Sequence, residues 1–155
     1  MKKVNLFLVQ TLLVLSLTLV IGCSKDDDKG DEIPSGGLKI GQPYQGGKIF
    51  YVDDTGKHGL MAAPNDEMGL YTWSEALAVC QNKSLSGYND WYLPSRSELH
   101  ELYLNREAVG GFANERYWSS SEYYYDYAWY QYFNSGNQNY YYKYDSYRVR
   151  AVRAF

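Results

Sequence analysis

Between Glu122 and Tyr147 the chain reads EYYYDYAWYQYFNSGNQNYYYKYDSY, and its chemistry is concentrated there. Of the 25 residues from Tyr123 to Tyr147, 11 are tyrosine; the other 130 residues of the chain hold 7. A tyrosine offers a large amphipathic contact with few torsions to freeze, plus a hydroxyl. Antibody paratopes favour Tyr, Ser, Gly and Asn for that reason. Such a set is suited to binding rather than bond-breaking. No nucleophile–base pair, carboxylate dyad or metal-ligand spacing stands out elsewhere, so the chain is expected to be no enzyme, with no catalytic residue, cofactor or metal. His58 at a turn and His100 off an apolar stripe read as surface residues.

The expected ligand-binding set follows from strand alternation. Tyr130 and Tyr132 project together from one strand, with Tyr140, Tyr142 and Tyr144 beside them, while Trp129 and Phe133 face the core. Tyr123, Tyr124, Tyr125, Asp126 and Tyr127 form a loop at the rim. Asn134, Asn137 and Asn139 supply amide donors and acceptors, and Asp145 and Tyr147 complete the set.

The elements that hold this segment are legible in part. Lys48–Val52 and Gly59–Ala63 read as a hairpin around Asp53-Asp54-Thr55-Gly56-Lys57. Thr72-Trp73-Ser74-Glu75 and Ser95-Arg96-Ser97-Glu98 are capping boxes. Trp73, Ala76, Leu77 and Cys80 at helical spacing predict a first helix over about 73–83, with Cys80 a buried core thiol. Leu99, Leu102 and Tyr103 predict a second, ending near Asn105. After Gly110-Gly111 the period changes to that of strands: 117–120, 128–133, 139–144 and 148–155, the last with no assignable inward face. Helices segregated from a twisted antiparallel sheet make an α+β domain.

Ahead of the domain, Lys2 and Lys3 precede an uncharged run from Leu6 to Ile21, followed by Gly22-Cys23. That pattern resembles a bacterial lipoprotein signal peptide over 1–22, with Cys23 as the lipidated residue; an ordinary signal peptide is the plainer alternative. Acyl chains on Cys23 would tether the protein to a membrane. The acidic run Ser24-Lys25-Asp26-Asp27-Asp28-Lys29 resembles an export signal to the outer face of the outer membrane in Bacteroidetes-type bacteria, or is a solvated linker. Residues 23–37 form the tether and 38–155 the domain. A formal net charge of −3 makes nucleic acid an unlikely partner.

Three segments taken in order resemble a known family: Thr72-Trp73-Ser74-Glu75-Ala76-Leu77 with Cys80, Gly87 to Leu99 (GYNDWYLPSRSEL), and Tyr117-Trp118-Ser119-Ser120-Ser121. With Val149-Arg150-Ala151-Val152-Arg153 they are similar to the Lcl C-terminal domain, a domain of unknown function, and to the Fibrobacter paralogous domain. The resemblance spans about 46–155. It implies a C-type-lectin-like fold of the formylglycine-generating-enzyme variety, with roles in surface binding and adhesion. The paired cysteines of those enzymes are missing, and so are the Glu-Pro-Asn and Trp-Asn-Asp motifs of calcium-dependent lectins. The partner is therefore expected to be a surface protein or, alternatively, a glycan stacked on tyrosine without calcium.

Eighteen of the 25 residues are Tyr, Asn, Asp or Ser. One adenine change in an Asn codon (AAY) gives TAY, GAY or AGY, so the set resembles the variable region of a diversity-generating retroelement target. The alternative is ordinary strand chemistry, since Tyr favours strands and cross-strand aromatic pairs.

Overall fold

The computed structural model describes residues 36–155; the signal segment, Cys23 and the acidic run lie outside the described residues. The first hairpin closes where the sequence is turn-like. The Asp53 carboxylate accepts from Thr55 Oγ1 at 2.7 Å and from the Thr55 amide at 3.1 Å. These bonds, the Thr55 hydroxyl's foremost, hold the Asp53 carboxyl below its usual range. Strands β2 (Gly47–Val52) and β3 (Gly59–Ala62) flank the turn, and β1 (Pro43–Tyr44) pairs with β2.

Helices α1 (Trp73–Gln81) and α2 (Arg96–Leu104) start at the two capping boxes. The Thr72 amide and hydroxyl both donate to Glu75, at 2.9 and 2.7 Å. The Ser95 amide donates to Glu98 at 2.7 Å, and Ser95 Oγ accepts from the Glu98 amide at 3.3 Å. Each helix ends a residue or two before its sequence-predicted limit, and a short α3 (Arg106–Val109) follows α2 directly.

Two sheets form where one was expected. Strands β4 (Arg116–Tyr124), β5 (Tyr127–Tyr132) and β6 (Gln138–Tyr142) make an antiparallel meander. The last strand, β7 (Val152–Ala154), pairs with β3, so the first sheet has the order β1-β2-β3-β7. The C-terminal stretch therefore packs beside the N-terminal hairpin rather than extending the tyrosine-rich sheet. Before reaching β3 it makes an antiparallel bridge at Tyr71–Tyr147 and a parallel one at Tyr117–Arg148, and Val152 of β7 also bridges Tyr92 on its other side. Three helices and two antiparallel sheets make the domain α+β.

The meander is covered on both faces, and alternation along β4 divides the core in two. Trp118 joins Ala76, Cys80, Trp91, Leu93, Ala128, Tyr147, Val149 and Ala151 beneath α1. Its neighbour Tyr117 joins Phe50, Leu99, Leu102, Val109, Phe133 and Val152 beneath α2. A fully buried Trp118 contributes roughly 4–6 kcal/mol of gross transfer free energy by area, before ordering costs.

Between the two clusters lies a buried cation. Arg150 is 1% exposed. Its Nε donates to Asp66 Oδ1 at 2.7 Å, Nη1 to Ala63 O at 3.0 Å, and Nη2 to Gly111 O at 2.6 Å. The guanidinium lies 4.1 Å over the Phe112 ring. Asp66 also accepts from the Tyr117 hydroxyl at 2.6 Å. Burial, reinforced by that bond, pushes the Tyr117 phenol far above its ordinary pKa.

Two expected outcomes follow. Arg150→Ala takes from Asp66 its buried counter-charge and leaves several carbonyls without their donor, and should lower the unfolding free energy by about 3–5 kcal/mol in a urea titration. Arg150→Lys should recover little of this, since an ammonium lacks the planar fork that these acceptors match. Cys80 is fully buried, and burial, with a smaller effect of the Glu67 charge, pushes its thiol from 9.0 up to about 12. Below pH 9 both the folded and unfolded thiols are protonated. Above it the unfolded thiol ionises first, so stability should fall as pH rises from 9.0 towards about 12. At pH 8, mass-mapped alkylation of Cys80 should be slow until denaturant opens the domain. Fast native-state alkylation would contradict the burial.

Candidate ligand-binding face

The tyrosine-rich segment is not a loop followed by strands. It is a continuous meander with tight turns at Tyr125-Asp126 and Phe133–Asn137. β4 runs through Tyr123 and Tyr124, and Tyr127 already belongs to β5. Across β5 and β6 the partners are Tyr127 with Tyr142, Trp129 with Tyr140 and Gln131 with Gln138. One face of the sheet thus carries Tyr127, Trp129, Tyr140 and Tyr142, and Tyr123 of β4 reaches the same face.

These rings touch one another. Tyr123 and Tyr140 stack with centroids 3.7 Å apart and planes 10° apart. The edge of Trp129 meets both, at 5.5 Å each. Tyr127 lies 4.5 Å from Tyr142, and Tyr142 stacks on Tyr144 at 4.8 Å and 15°. Offset and edge-on pairs of this kind are each worth about 0.5–1.5 kcal/mol beyond their area. The Tyr142 hydrogen bond, with lesser contributions from burial and nearby charge, pushes the Tyr127 phenol up to about 12. A hydrogen bond with Tyr123 raises Tyr140 in the same direction. At neutral pH Tyr127 and Tyr140 therefore offer protonated, uncharged hydroxyls.

Two cations brace the face. Arg96, at the start of α2, lies 3.5 Å over the Trp129 ring. Its Nε donates to Gln138 Oε1 at 2.9 Å, and Gln138 Nε2 donates back to the Arg96 carbonyl at 2.8 Å. The Arg96 amide donates to Ser121 Oγ at 2.9 Å, joining α2 to β4 as well as β6. Lys143 donates to Glu122 at 2.5 Å and to the Tyr125 carbonyl at 2.7 Å, and lies 4.6 Å over Trp73. The Trp73 indole in turn donates to the Ser119 carbonyl at 2.8 Å.

The structure sorts the expected residues. Tyr124, Tyr125 and Tyr144 are the most open rings, at 73%, 83% and 69% exposure. Tyr123, Tyr140, Asp126, Asn134, Asn137 and Asn139 are also exposed, and Tyr127, Tyr132, Tyr142 and Asp145 are half-buried. Tyr147 is buried, its ring 4.4 Å from that of Trp118. Tyr130 points inward too, edge-on to Tyr147 at 5.2 Å. The expected core pairing of Trp129 with Phe133 holds for Phe133 alone. Trp129 is half-buried beneath Arg96, while Gln131 on the same face is fully buried. The reason is two-sided cover: an alternating pattern marks an inner and an outer face only when one face is solvated.

Several participants had no signal in the segment's composition. Arg96, Gln138 and Lys143 act through partners distant in sequence. Tyr141, exposed on the opposite face, belongs to the surface as much as its neighbours. A shallow cleft of about 410 Å³ beside the face is lined by Thr72, Trp73, Ser74, Asp126, Lys143 and Tyr144. Another, of about 400 Å³, lies between Tyr51, Leu60 and α2, where the buried Nδ1 of His100 has no hydrogen-bond partner. His100 is thus half-buried rather than a plain surface residue. Among the described residues, no three of His, Cys, Asp or Glu gather as a metal-ligand group.

No curated protein matches the chain. The model of one family matches residues 52–153, which takes in all three helices, the whole meander and most of the C-terminal strand. By that match the chain belongs to the Lcl C-terminal domain family.

Proposed function

We propose that the domain is a recognition module that binds a ligand through its tyrosine face, with no catalytic role. The observation that carries this reading is the ring cluster of Tyr123, Trp129 and Tyr140 with Tyr127, Tyr142 and Tyr144, open to solvent at Tyr123, Tyr140 and Tyr144 and pre-assembled by ring contacts and by Arg96. Rings already ordered lose little freedom when a ligand arrives. An exposed aromatic patch of this extent is the usual mark of an interaction surface. The burial of Cys80, the chain's only cysteine besides Cys23, supports a binding role over thiol chemistry.

The same reading places the domain on a cell surface, anchored through lipid on Cys23 and facing outward from the outer membrane, with sequence features as its support. We also infer a C-type-lectin-like variety of the α+β fold. Its support is the return of β7 to the N-terminal hairpin, which leaves the β4–β6 meander as a long excursion.

A protein ligand is the first reading. A glycan is favoured by one further observation, the cleft that brings the aromatic residues Trp73 and Tyr144 together with the polar residues Asp126, Thr72 and Ser74. Glycan and protein arrays probed in parallel with the purified chain separate the two. Against whichever ligand is found, Tyr124→Ala, Tyr125→Ala and Tyr144→Ala should each cost about 1–2 kcal/mol of affinity, or about five- to thirty-fold. The unfolding free energy of the Tyr124 and Tyr125 variants should move by less than about 0.5 kcal/mol, while Tyr144→Ala also loses its stacking on Tyr142, about 0.5–1.5 kcal/mol. Unchanged affinity in all three variants would overturn the assignment of the face.

The Tyr, Asn, Asp and Ser bias is read as a retroelement-diversified surface. Downstream DNA should then hold a reverse-transcriptase gene and a near-copy of the last coding segment differing at template adenines. Among functional copies of the gene, Tyr130, Tyr147 and Gly136 should stay fixed because they pack inside. Absence of both DNA elements would end the retroelement reading and leave the binding reading standing.

A further inference from the structure

Among the described strands, the three-stranded sheet ends in one with nothing beside it. β6 pairs with β5 and has no neighbour on its other side. Which backbone groups that leaves open can be worked out from the register. The Lys143 amide donates to the Asp126 carbonyl at 2.9 Å, and the Tyr132 amide to the Asn137 carbonyl at 2.9 Å. These bonds set the phase of the antiparallel ladder, in which hydrogen-bonded and non-hydrogen-bonded pairs alternate. Ala128–Tyr141 and Tyr130–Asn139 are the bonded pairs; Tyr127–Tyr142, Trp129–Tyr140 and Gln131–Gln138 are the non-bonded ones. The amides and carbonyls of Gln138, Tyr140 and Tyr142 therefore point away from β5.

Little occupies them. The Tyr140 amide takes the side-chain oxygen of its own neighbour Asn139 at 2.8 Å, and the Tyr142 carbonyl accepts the Asp145 amide at 3.0 Å. The guards that natural edge strands carry are also missing. Gln138-Asn139-Tyr140-Tyr141-Tyr142 holds no lysine, no carboxylate and no proline, and no bulge interrupts its register with β5. Tyr140 and Tyr141 flank the edge on opposite faces, 37% and 43% exposed.

We propose that this edge is where a second copy of the chain adds its own β6, antiparallel, about a two-fold axis through Tyr140. In that register Tyr140 faces Tyr140 of the second copy, and Gln138 faces Tyr142 of the second copy. Each outward amide then meets an outward carbonyl, and no group is left over. Charge does not oppose the pairing: the strand is uncharged, Lys143 beyond its end is already bound to Glu122, and the whole chain carries a formal net charge of only −3. The cost is displacement of the Asn139 side chain from the Tyr140 amide, and the Tyr142 carbonyl accepts the Gln138 amide of the second copy on its second lone pair, beside the Asp145 amide. The product is one six-stranded sheet presenting two tyrosine faces side by side, so that a repetitive ligand is gripped twice. This pairing does not depend on which ligand the face takes.

The test uses the full chain kept in a non-ionic detergent. Sedimentation over a concentration series should show a monomer–dimer equilibrium. Tyr140→Ala removes the ring, whereas Tyr140→Pro removes the ring and the outward amide while sparing the ladder to β5. The proline variant should dimerise at least about ten-fold more weakly than the alanine variant. Should proline disturb the fold, Tyr140→Cys in a Cys23→Ser background provides a second route. Residues facing across the axis lie about 5.5 Å apart, within disulfide reach. Mild oxidation should therefore cross-link Tyr140→Cys and not Asn134→Cys. Equal cross-linking at both positions, or equal dimerisation of the alanine and proline variants, would overturn the edge pairing. A chain that stays monomeric to about 1 mM would overturn it too, whatever foreign strand the edge then accepts.

Discussion

The buried guanidinium of Arg150 is the constraint to which the rest of the domain is fitted. A cation with no access to water demands a full set of acceptors, and the chain supplies them from segments that are otherwise unrelated. Asp66 comes from the stretch that leaves β3, Ala63 gives a carbonyl from the end of that strand, and Gly111 gives one from the link between α3 and β4. Phe112 covers the guanidinium plane, and the Tyr117 hydroxyl shares Asp66. One side chain of the C-terminal stretch thus fixes where the hairpin sheet, the short helix and the tyrosine meander meet. Arg153, two-faced in the same way, bridges Asp90 and Gln45 and lies 3.7 Å over Tyr88.

The meander serves two masters because strands alternate. Tyr117 and Trp118 send their rings to opposite cores, and along β5 Ala128 and Gln131 are buried on opposite faces. The exposed aromatic set therefore begins only where helix cover ends, towards the Tyr125-Asp126 turn and along β6. Arg96 marks the border: its backbone caps α2 against β4, and its guanidinium lies on Trp129. Tyrosine composition is uniform across this border, but tyrosine function is not. Tyr147 and Tyr130 pack against Trp118, while Tyr124 and Tyr125 touch mostly solvent.

What could be read from the sequence was what is decided locally. Both capping boxes form, and the Ala76–Cys80 and Leu99–Leu102 stripes are buried, because helix starts and helix faces are set within a turn or two. The hairpin around Asp53 was legible for the same reason. Long-range pairing was not. RVRAVRAF has no readable inward face because Arg150 and Arg153 are buried along with Val149, Ala151 and Val152, the arginines by partners up to 108 residues away. The assignment of Trp129 to the core failed because α2 covers that face only in part, and no local pattern reports the reach of Arg96. Tyr147 was grouped with the exposed tyrosines by proximity alone, though its ring completes the α1 core.

The turn between β5 and β6 shows how such a surface can change without changing shape. Gly136 adopts φ +81°, and a methyl group there would lie 2.5 Å from the Tyr103 ring on α2. Its amide and carbonyl are both bound, to Tyr132 and to the buried Gln131. The turn is therefore keyed into the helix at one residue, while Asn134, Ser135 and Asn137 around it stand in solvent. Loop path is set chiefly by that glycine, and of the neighbouring side chains Ser135 adds one long bond, its Oγ accepting from the Asn137 amide at 3.4 Å. A lineage built on this domain can vary its vocabulary of contacts freely while its grammar, the positions from which those contacts are made, stays the same.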